Sequence, residues 1–227
     1  MWRMRLGTGW TTAELVEYLE RIREIPRNFE ETSIEQMTRA AGWRMRHSEA
    51  LVARESPGRP LRAGPFARAR EAITNFAFSD PTIVRAHFDA HEPLLGRRML
   101  LDLQAMGVHF LCGTVVAAIR DDEGDGTSAF GFRYDTLQGH PERGLEWFVV
   151  TKTWDTGEIH FRIRSRWRDG DFPNWWTHLG FSALSPHYRR RWLRQAHERL
   201  AKIIRPPLTH ILGGSTPKPS RLGEKAH

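Results

Sequence analysis

Three consecutive stretches with alternating side chains, joined by two short turns, constrain this chain more than any other feature. They cover residues 130–136, 145–154 and 158–167, and Gly-containing segments separate them. A two-residue period is typical of β-strands, since successive side chains point to opposite faces of a sheet. Turns this short join antiparallel neighbours. The sequence therefore predicts an antiparallel meander at the centre of the fold.

A long amphipathic helix is predicted after the meander. Ser185 suits the capping position and Pro186 the first turn, where a missing backbone N–H costs nothing. An apolar stripe follows, formed by Tyr188, Trp192, Leu193, Ala196, Leu200, Ile203 and Ile204. Such a helix buries its stripe by packing on the apolar face of a sheet. The predicted fold class is α+β, with a curved antiparallel sheet packed on a long C-terminal helix.

The chain is predicted to contain one such domain, over residues 42–207, after an N-terminal helical extension over residues 1–41. In the extension, Thr11 and Glu14 fit a capping box at the start of a helix. Residues 208–227 are polar and rich in Gly, Pro and Lys, so we expect a disordered tail. Residues 1–10 are predicted to be an irregular arm, and the acidic segment 120–128 a hairpin loop.

Composition excludes several classes of protein. The formal net charge is +7, and one cysteine, Cys112, leaves no intrachain disulfide and no cysteine-rich zinc site. His87 and His91 have helical metal-ligand spacing, but their segment is predicted to be a strand followed by a loop. We therefore expect no metal and no organic cofactor. No apolar run approaches the roughly 20 residues of a membrane span, and the expected location is the cytoplasm.

One motif in the meander resembles a known family. Tyr134, Thr136, Leu137, Gly139 and His140 form Tyr-x-Thr-Leu-x-Gly-His, and segments 78–86 and 93–101 add to the likeness. Over roughly residues 42–200 the chain resembles the DUF 1990 (UPF 0548) family of unknown function. The resemblance implies the helix-grip shape of Bet v 1 and START-like proteins, in which a curved antiparallel sheet wraps a long C-terminal helix. It implies no established activity.

A curved sheet on a helix can leave an internal cavity, and such cavities bind apolar molecules through a few polar anchors. We therefore favour binding of a small apolar or lipid-like molecule that carries a polar anchor. The ligand-binding candidates are Phe132, Tyr134, Thr136, Phe148, Phe161, Arg162 and Trp192. Which sheet face is interior, and whether Trp175 and Trp176 cover the cavity or seal a homodimer, stays open.

An enzyme on the same scaffold is the alternative: a cyclase, dehydratase or hydrolase of a carbonyl compound. Its catalytic candidates are His140, Tyr134 and Glu146, because imidazole titrates near neutral pH and a buried carboxyl can be held protonated. Arg162 or Arg164 is the expected partner of Glu146. A structural interpretation is also open, in which His140 stabilises its turn and Tyr134 packs in the core.

A basic surface is the third hypothesis. The triplet Arg189 to Arg191 and the row Arg162, Arg164 and Arg166 would together form a patch for phosphate or nucleic acid. No nucleic-acid motif is recognisable, and the aromatic residues are needed for the core. We therefore place this hypothesis behind the other two.

Overall fold

The computed structural model describes residues 2–30, 34–170 and 175–205, with side chains described from residue 187 onward in the last helix. Its helices are α1 (Thr12–Arg21), α2 (Pro65–Thr74) and α3 (Trp175–Ile204). Its strands are β1 (Trp2–Leu6), β2 (Arg44–Arg54), β3 (Val84–His87), β4 (Arg98–Ala105), β5 (Val108–Gly124), β6 (Thr127–Thr136), β7 (Glu142–Thr153) and β8 (Glu158–Asp169). A short 3-10 turn over Ile22–Glu24 follows α1.

One antiparallel sheet contains all of these strands. Seven of them follow the order β2-β8-β7-β6-β5-β4-β3, and β1 pairs with β5 outside this order. The predicted meander is confirmed as β6, β7 and β8 at its centre. The first part of β5 pairs with β1 on the side where its later part pairs with β6. The predicted α+β fold class, an antiparallel sheet combined with a long C-terminal helix in a helix-grip-like arrangement, is confirmed.

Two tight hairpin turns shape the β4 to β6 region. Met106 and Gly107 have φ values of 51° and 75°, and Asp125 and Gly126 have values of 50° and 72°. Positive φ at both central residues is favoured in two-residue hairpins, because it matches the twist of the strands. The predicted loop over 120–128 is therefore wrong: β5 and β6 continue to the Asp125–Gly126 turn, and their charged residues lie on strands.

Two further local predictions are corrected by long-range packing. The predicted arm over residues 1–10 contains β1, since Trp2–Leu6 finds hydrogen-bonding partners on β5. The last helix begins at Trp175 instead of near Ser185, so Pro186 lies inside it. A proline removes one helical hydrogen bond, and a helix of 30 residues retains many others. The predicted tail over 208–227 lies outside the described residues.

The inner face of the sheet carries the main core. Phe148, Phe161 and Ile163 are fully buried there, packed with α2 and with the second half of α3. From α3, the core includes Trp192, Leu193, Ala196, Leu200 and Ile204. The inner face is thus the one that carries Phe132, Phe148 and Phe161, which answers the question that the sequence left open.

The N-terminal segment covers part of the outer face of the sheet. Ile22, just after α1, packs with Leu100, Leu111 and Leu137 of the sheet side. Met37 packs with Trp43 and Leu145 in a neighbouring cluster. The residues predicted as an extension therefore form a layer over this part of the domain.

None of the helices in the described ranges combines the length and apolar character needed to cross a membrane. The same ranges contain no group of three or more His, Cys, Asp or Glu side chains that could hold a metal ion. Cys112 is buried, and burial raises the pKa of its thiol, so it is an inert core residue.

Candidate functional site

A cluster of polar side chains lies between the inner face of the sheet and α3. Tyr134 on β6, Glu146 on β7 and Ser165 on β8 are direct neighbours across the strands, so they point to the same face. Arg189 on α3 and Glu142 at the start of β7 complete the group. We call these five residues the Glu146 cluster.

Glu146 is at the centre of the cluster and only 4% exposed. The Tyr134 hydroxyl donates a hydrogen bond to its Oε2 at 2.6 Å, and the Ser165 hydroxyl donates to its Oε1 at 2.7 Å. Arg189 approaches the same carboxylate less closely, at 3.8 Å. Burial raises the pKa of the Glu146 carboxyl, while Arg189 and the two hydroxyls oppose that rise. Burial therefore favours the protonated form of this carboxyl, and its three polar neighbours favour the charged form.

Arg189 links both carboxylates of the cluster. Its Nη2 donates to the two oxygens of Glu142 at 2.6 and 2.5 Å, and its guanidinium lies 4.2 Å from the ring centre of Trp167. Burial alone would lower its pKa, but the two carboxylates outweigh that effect and raise the pKa, so the guanidinium stays charged. One positive charge thus serves two acidic groups.

Tyr134 connects the polar cluster to the aromatic core. Its ring centre lies 5.4 Å from that of Phe148, while its hydroxyl bonds Glu146. Burial and the neighbouring Glu146 charge raise the pKa of the phenol well above its usual value. The hydroxyl is therefore a permanent hydrogen-bond donor at neutral pH.

His140 is fastened within its own turn. Its Nδ1 accepts the backbone N–H of Glu142 at 2.9 Å, and its backbone N–H donates to the Leu137 carbonyl at 3.0 Å. Burial lowers the pKa of the imidazole to about 4, so the ring is neutral and its proton is on Nε2. The lone pair that a general base needs is already used. This geometry favours the structural interpretation of His140.

Thr136 also joins segments of the fold. Its hydroxyl donates to Asn28 Oδ1 at 2.7 Å and accepts the backbone N–H of Gly144 at 2.9 Å. A Cβ on Gly144 would lie 2.1 Å from the Arg166 carbonyl oxygen, so only glycine fits there. This predicted ligand-binding residue therefore connects the N-terminal segment to the β6–β7 turn.

Arg162 requires a correction. It lies on the face of β8 opposite Phe161, where it donates two hydrogen bonds to Glu49 at 2.7 and 3.0 Å. Strand alternation keeps it away from the inner face, so it cannot be the partner of Glu146 or line the same cavity as Phe161. Arg164, the other expected partner of Glu146, shares that outer face and donates to His47 at 3.2 Å.

The predicted aromatic ligand-binding residues do meet on the inner face. Phe148 is at their centre, with ring centres of Phe132 at 5.4 Å and Trp192 at 6.2 Å. Phe78, which was not among the predicted ligand-binding residues, packs between Phe148 and Phe161, with ring centres at 4.9 and 5.2 Å. These residues form an aromatic layer beside the Glu146 cluster.

Three members of the cluster were not predicted as site residues: Arg189, Ser165 and Glu142. The sequence held a signal for the first two. Arg189 precedes Trp192, Leu193 and Ala196 by three, four and seven positions, the spacing of one helix face. It therefore belongs to the apolar stripe, although it was assigned to a basic surface. Ser165 follows Phe161 and Ile163 in the two-residue period of β8, which places it inside.

The fold and the cluster together define an α+β protein with a buried polar site between an antiparallel sheet and its C-terminal helix. A family model described as "Domain of unknown function (DUF1990)" matches residues 28–198. The chain therefore belongs to this family, which confirms the resemblance stated above. No match was found among curated protein sequences.

Solved structures similar to this chain include Ara h 8.0201, at 10% identity and a TM-score of 0.40, covering 71% of this chain and 99% of that one. Major latex-like protein 151 from Panax ginseng has 10% identity and a TM-score of 0.42, with coverages of 72% and 99%. Truncated norcoclaurine synthase from Thalictrum flavum has 8% identity and a TM-score of 0.41, with coverages of 74% and 95%. At these scores the likeness carries no inference about activity.

Proposed function

We propose that this protein binds a small, largely apolar molecule between the sheet and α3, and that the Glu146 cluster holds the polar group of that molecule. The aromatic layer of Phe132, Phe148 and Trp192 contacts the apolar part. Arg189 donates to the polar group, or Glu146 accepts from it. This division into apolar walls and a few convergent polar groups is typical of small-molecule sites.

The observation that carries the proposal is that the charge of Glu146 is incompletely paired: hydroxyl groups donate to both of its oxygens, but the nearest cation is shared. Its carboxyl is buried, two acidic groups share the Arg189 guanidinium, and the Arg189–Glu146 distance is 3.8 Å. Burying a charge costs several kcal/mol unless close partners compensate for it. Clusters that keep such a cost and shift pKa values are concentrated at functional sites.

Native mass spectrometry of the purified protein, together with thermal shifts against a panel of fatty acids and aromatic alcohols, tests the proposal. We expect an organic mass that is lost on denaturation, or a saturable stabilisation by members of the panel. Tyr134→Phe and Glu146→Gln should weaken binding about tenfold, since the first removes the hydroxyl that positions the Glu146 carboxyl and the second replaces the carboxyl that meets the polar group. Glu158→Gln is the matched control, because that carboxylate pairs with Arg54 on the surface.

Two results would contradict the proposal. One is the absence of both a bound mass and any saturable thermal shift across the panel. The other is equal binding by the wild type, Glu146→Gln and Glu158→Gln proteins, which would place the ligand away from the cluster.

An enzyme acting on a carbonyl compound is the second candidate, favoured by the 2.6 Å bond between Tyr134 and Glu146. A carboxyl with a raised pKa can donate its proton to a carbonyl oxygen, and Arg189 then stabilises the negative charge left on the Glu146 carboxylate. In this case Glu146→Gln should abolish turnover of a carbonyl substrate and leave its binding within about tenfold. Equal turnover by the variant and the wild type would exclude Glu146 as the acid.

A further inference from the structure

An open cleft of about 250 Å³ lies between β2 and α3, outside the Glu146 cluster. Because β2 is an edge strand of the sheet, the cleft lies at the margin of the domain. Its walls are formed by Arg46, His47, Ser48, Arg190, Leu193 and Arg194. None of these residues belongs to the Glu146 cluster.

Three arginines, Arg46, Arg190 and Arg194, line the cleft. Over the described ranges, no carboxylate lies within ion-pair distance of Arg46, Arg190 or Arg194. Arg44 on β2 and Arg162 on the neighbouring β8 do pair, with Asp169 and Glu49. Like charges around a concave surface repel one another, and they concentrate anions from solution. The cleft therefore has an unbalanced positive charge.

The other polar groups at the cleft do not neutralise the positive charge of these arginines. His47 Nδ1 accepts a hydrogen bond from Arg164 at 3.2 Å, and its Nε2 lies 3.3 Å from Glu49. These two contacts hold the imidazole ring in place at the edge of the cleft. Glu49, which contacts the His47 ring, also accepts two hydrogen bonds from Arg162. The Ser48 hydroxyl lies 2.8 Å from His197 Nε2.

We propose that this cleft binds the phosphate group of a small phosphorylated molecule. The planar guanidinium suits two parallel hydrogen bonds to phosphate oxygens, and arginine stays charged at every physiological pH. Ligand pockets for drug-sized molecules measure about 300–1,000 Å³, so a smaller cleft suits a head group. Buried Leu193 supplies one apolar wall.

Isothermal titration calorimetry with inorganic phosphate and phenyl phosphate, at constant ionic strength set with sodium chloride, tests the proposal. We expect saturable binding by the wild type. Arg194→Gln and Arg46→Gln should each weaken it about tenfold, the loss expected for one charge-assisted contact. Arg191→Gln is the matched control: it removes the same charge from the exposed side of the same helix, outside the cleft, and should stay within twofold.

Equal losses in Arg194→Gln and Arg191→Gln would overturn the proposal, because they would indicate general screening of a basic surface. The absence of any saturable heat with either phosphate would also overturn it. A third contrary result is tight binding of a DNA oligonucleotide that phenyl phosphate does not displace. Glu146→Gln should bind phosphate like the wild type, so failure here and failure of the proposed inner site are distinguishable.

Discussion

Glu146 and Lys152 are two buried charged groups on the inner face of β7. Lys152 has a full set of close partners, whereas Glu146 shares its only nearby cation in the described ranges, Arg189, with Glu142. Lys152 is fully buried, and its Nζ donates to Glu55 at 2.6 Å, to the Ser56 carbonyl at 3.0 Å and to the Arg59 carbonyl at 3.1 Å. An ammonium group has three N–H donors, so all of them are satisfied. One positive charge meets one negative charge in a closed pair.

The Glu146 cluster has two acidic groups, one guanidinium and a long Arg189–Glu146 distance. The comparison teaches that a buried charge is evidence of function only where its pairing is incomplete. A closed pair such as Lys152–Glu55 holds loop 55–59 onto the sheet. In the Glu146 cluster the charges are not fully paired, so its side chains can still form hydrogen bonds with the polar group of a ligand.

Removing Lys152 should have the largest effect on stability. Lys152→Met leaves the Glu55 carboxylate buried without its partner, and breaking such a pair costs about 3–5 kcal/mol. Urea unfolding measures this loss. Arg54→Gln is the control, since Arg54 pairs with Glu158 at the surface, where water and salt screen the pair and its contribution to stability is small. Similar losses in both variants would mean that the Lys152 pair is not closed in solution.

Acid should destabilise the protein through His140. Because the pKa of the folded imidazole is lowered from 6.5 to about 4, its stabilising contribution is complete above pH 6.5 and is lost as the pH falls toward 4. The shift corresponds to roughly 3 kcal/mol. His140→Asn keeps an acceptor for the Glu142 N–H without titrating, so its unfolding free energy should fall less over this range.

The control for the pH experiment is His91→Asn, which removes an exposed histidine. An unchanged slope in His140→Asn would contradict the assignment. Glu146 acts in the opposite direction. Since its folded pKa is raised, its contribution is present at acid pH and is lost as the pH rises through that folded pKa.

Ser165→Ala should have the smallest effect. It removes one of the two hydroxyl donors to Glu146, which is worth about 1 kcal/mol, and should raise the pKa of that carboxyl further. Urea unfolding at neutral pH measures the stability. Ser56→Ala is matched to it, because only the backbone carbonyl of Ser56 binds Lys152 and its side chain is exposed. A larger loss of stability in Ser56→Ala than in Ser165→Ala would contradict this expectation.

Much of the fold was predictable because its signals are local. The alternation in β6, β7 and β8 and the capping box of Thr11 and Glu14 were predicted and confirmed. The Asp125–Gly126 turn also had a local signal, which the acidic surroundings obscured. β1 had none, since a strand of five residues gains its hydrogen bonds only from a distant partner on β5.

The sequence by itself determined the antiparallel meander and which residues share a strand face, Tyr134 with Phe132 and Glu146 with Phe148, because side-chain direction along a strand depends only on position. The tertiary structure decided that this face is the inner one, since the helices pack on it. Only the tertiary structure decided that Arg189, and not Arg162, meets Glu146. The physical reason is that the partner of a charge depends on how a distant helix packs on the sheet. Tertiary packing also decided that Lys152 on β7 has its own partner, Glu55, while Glu146 shares Arg189 with Glu142.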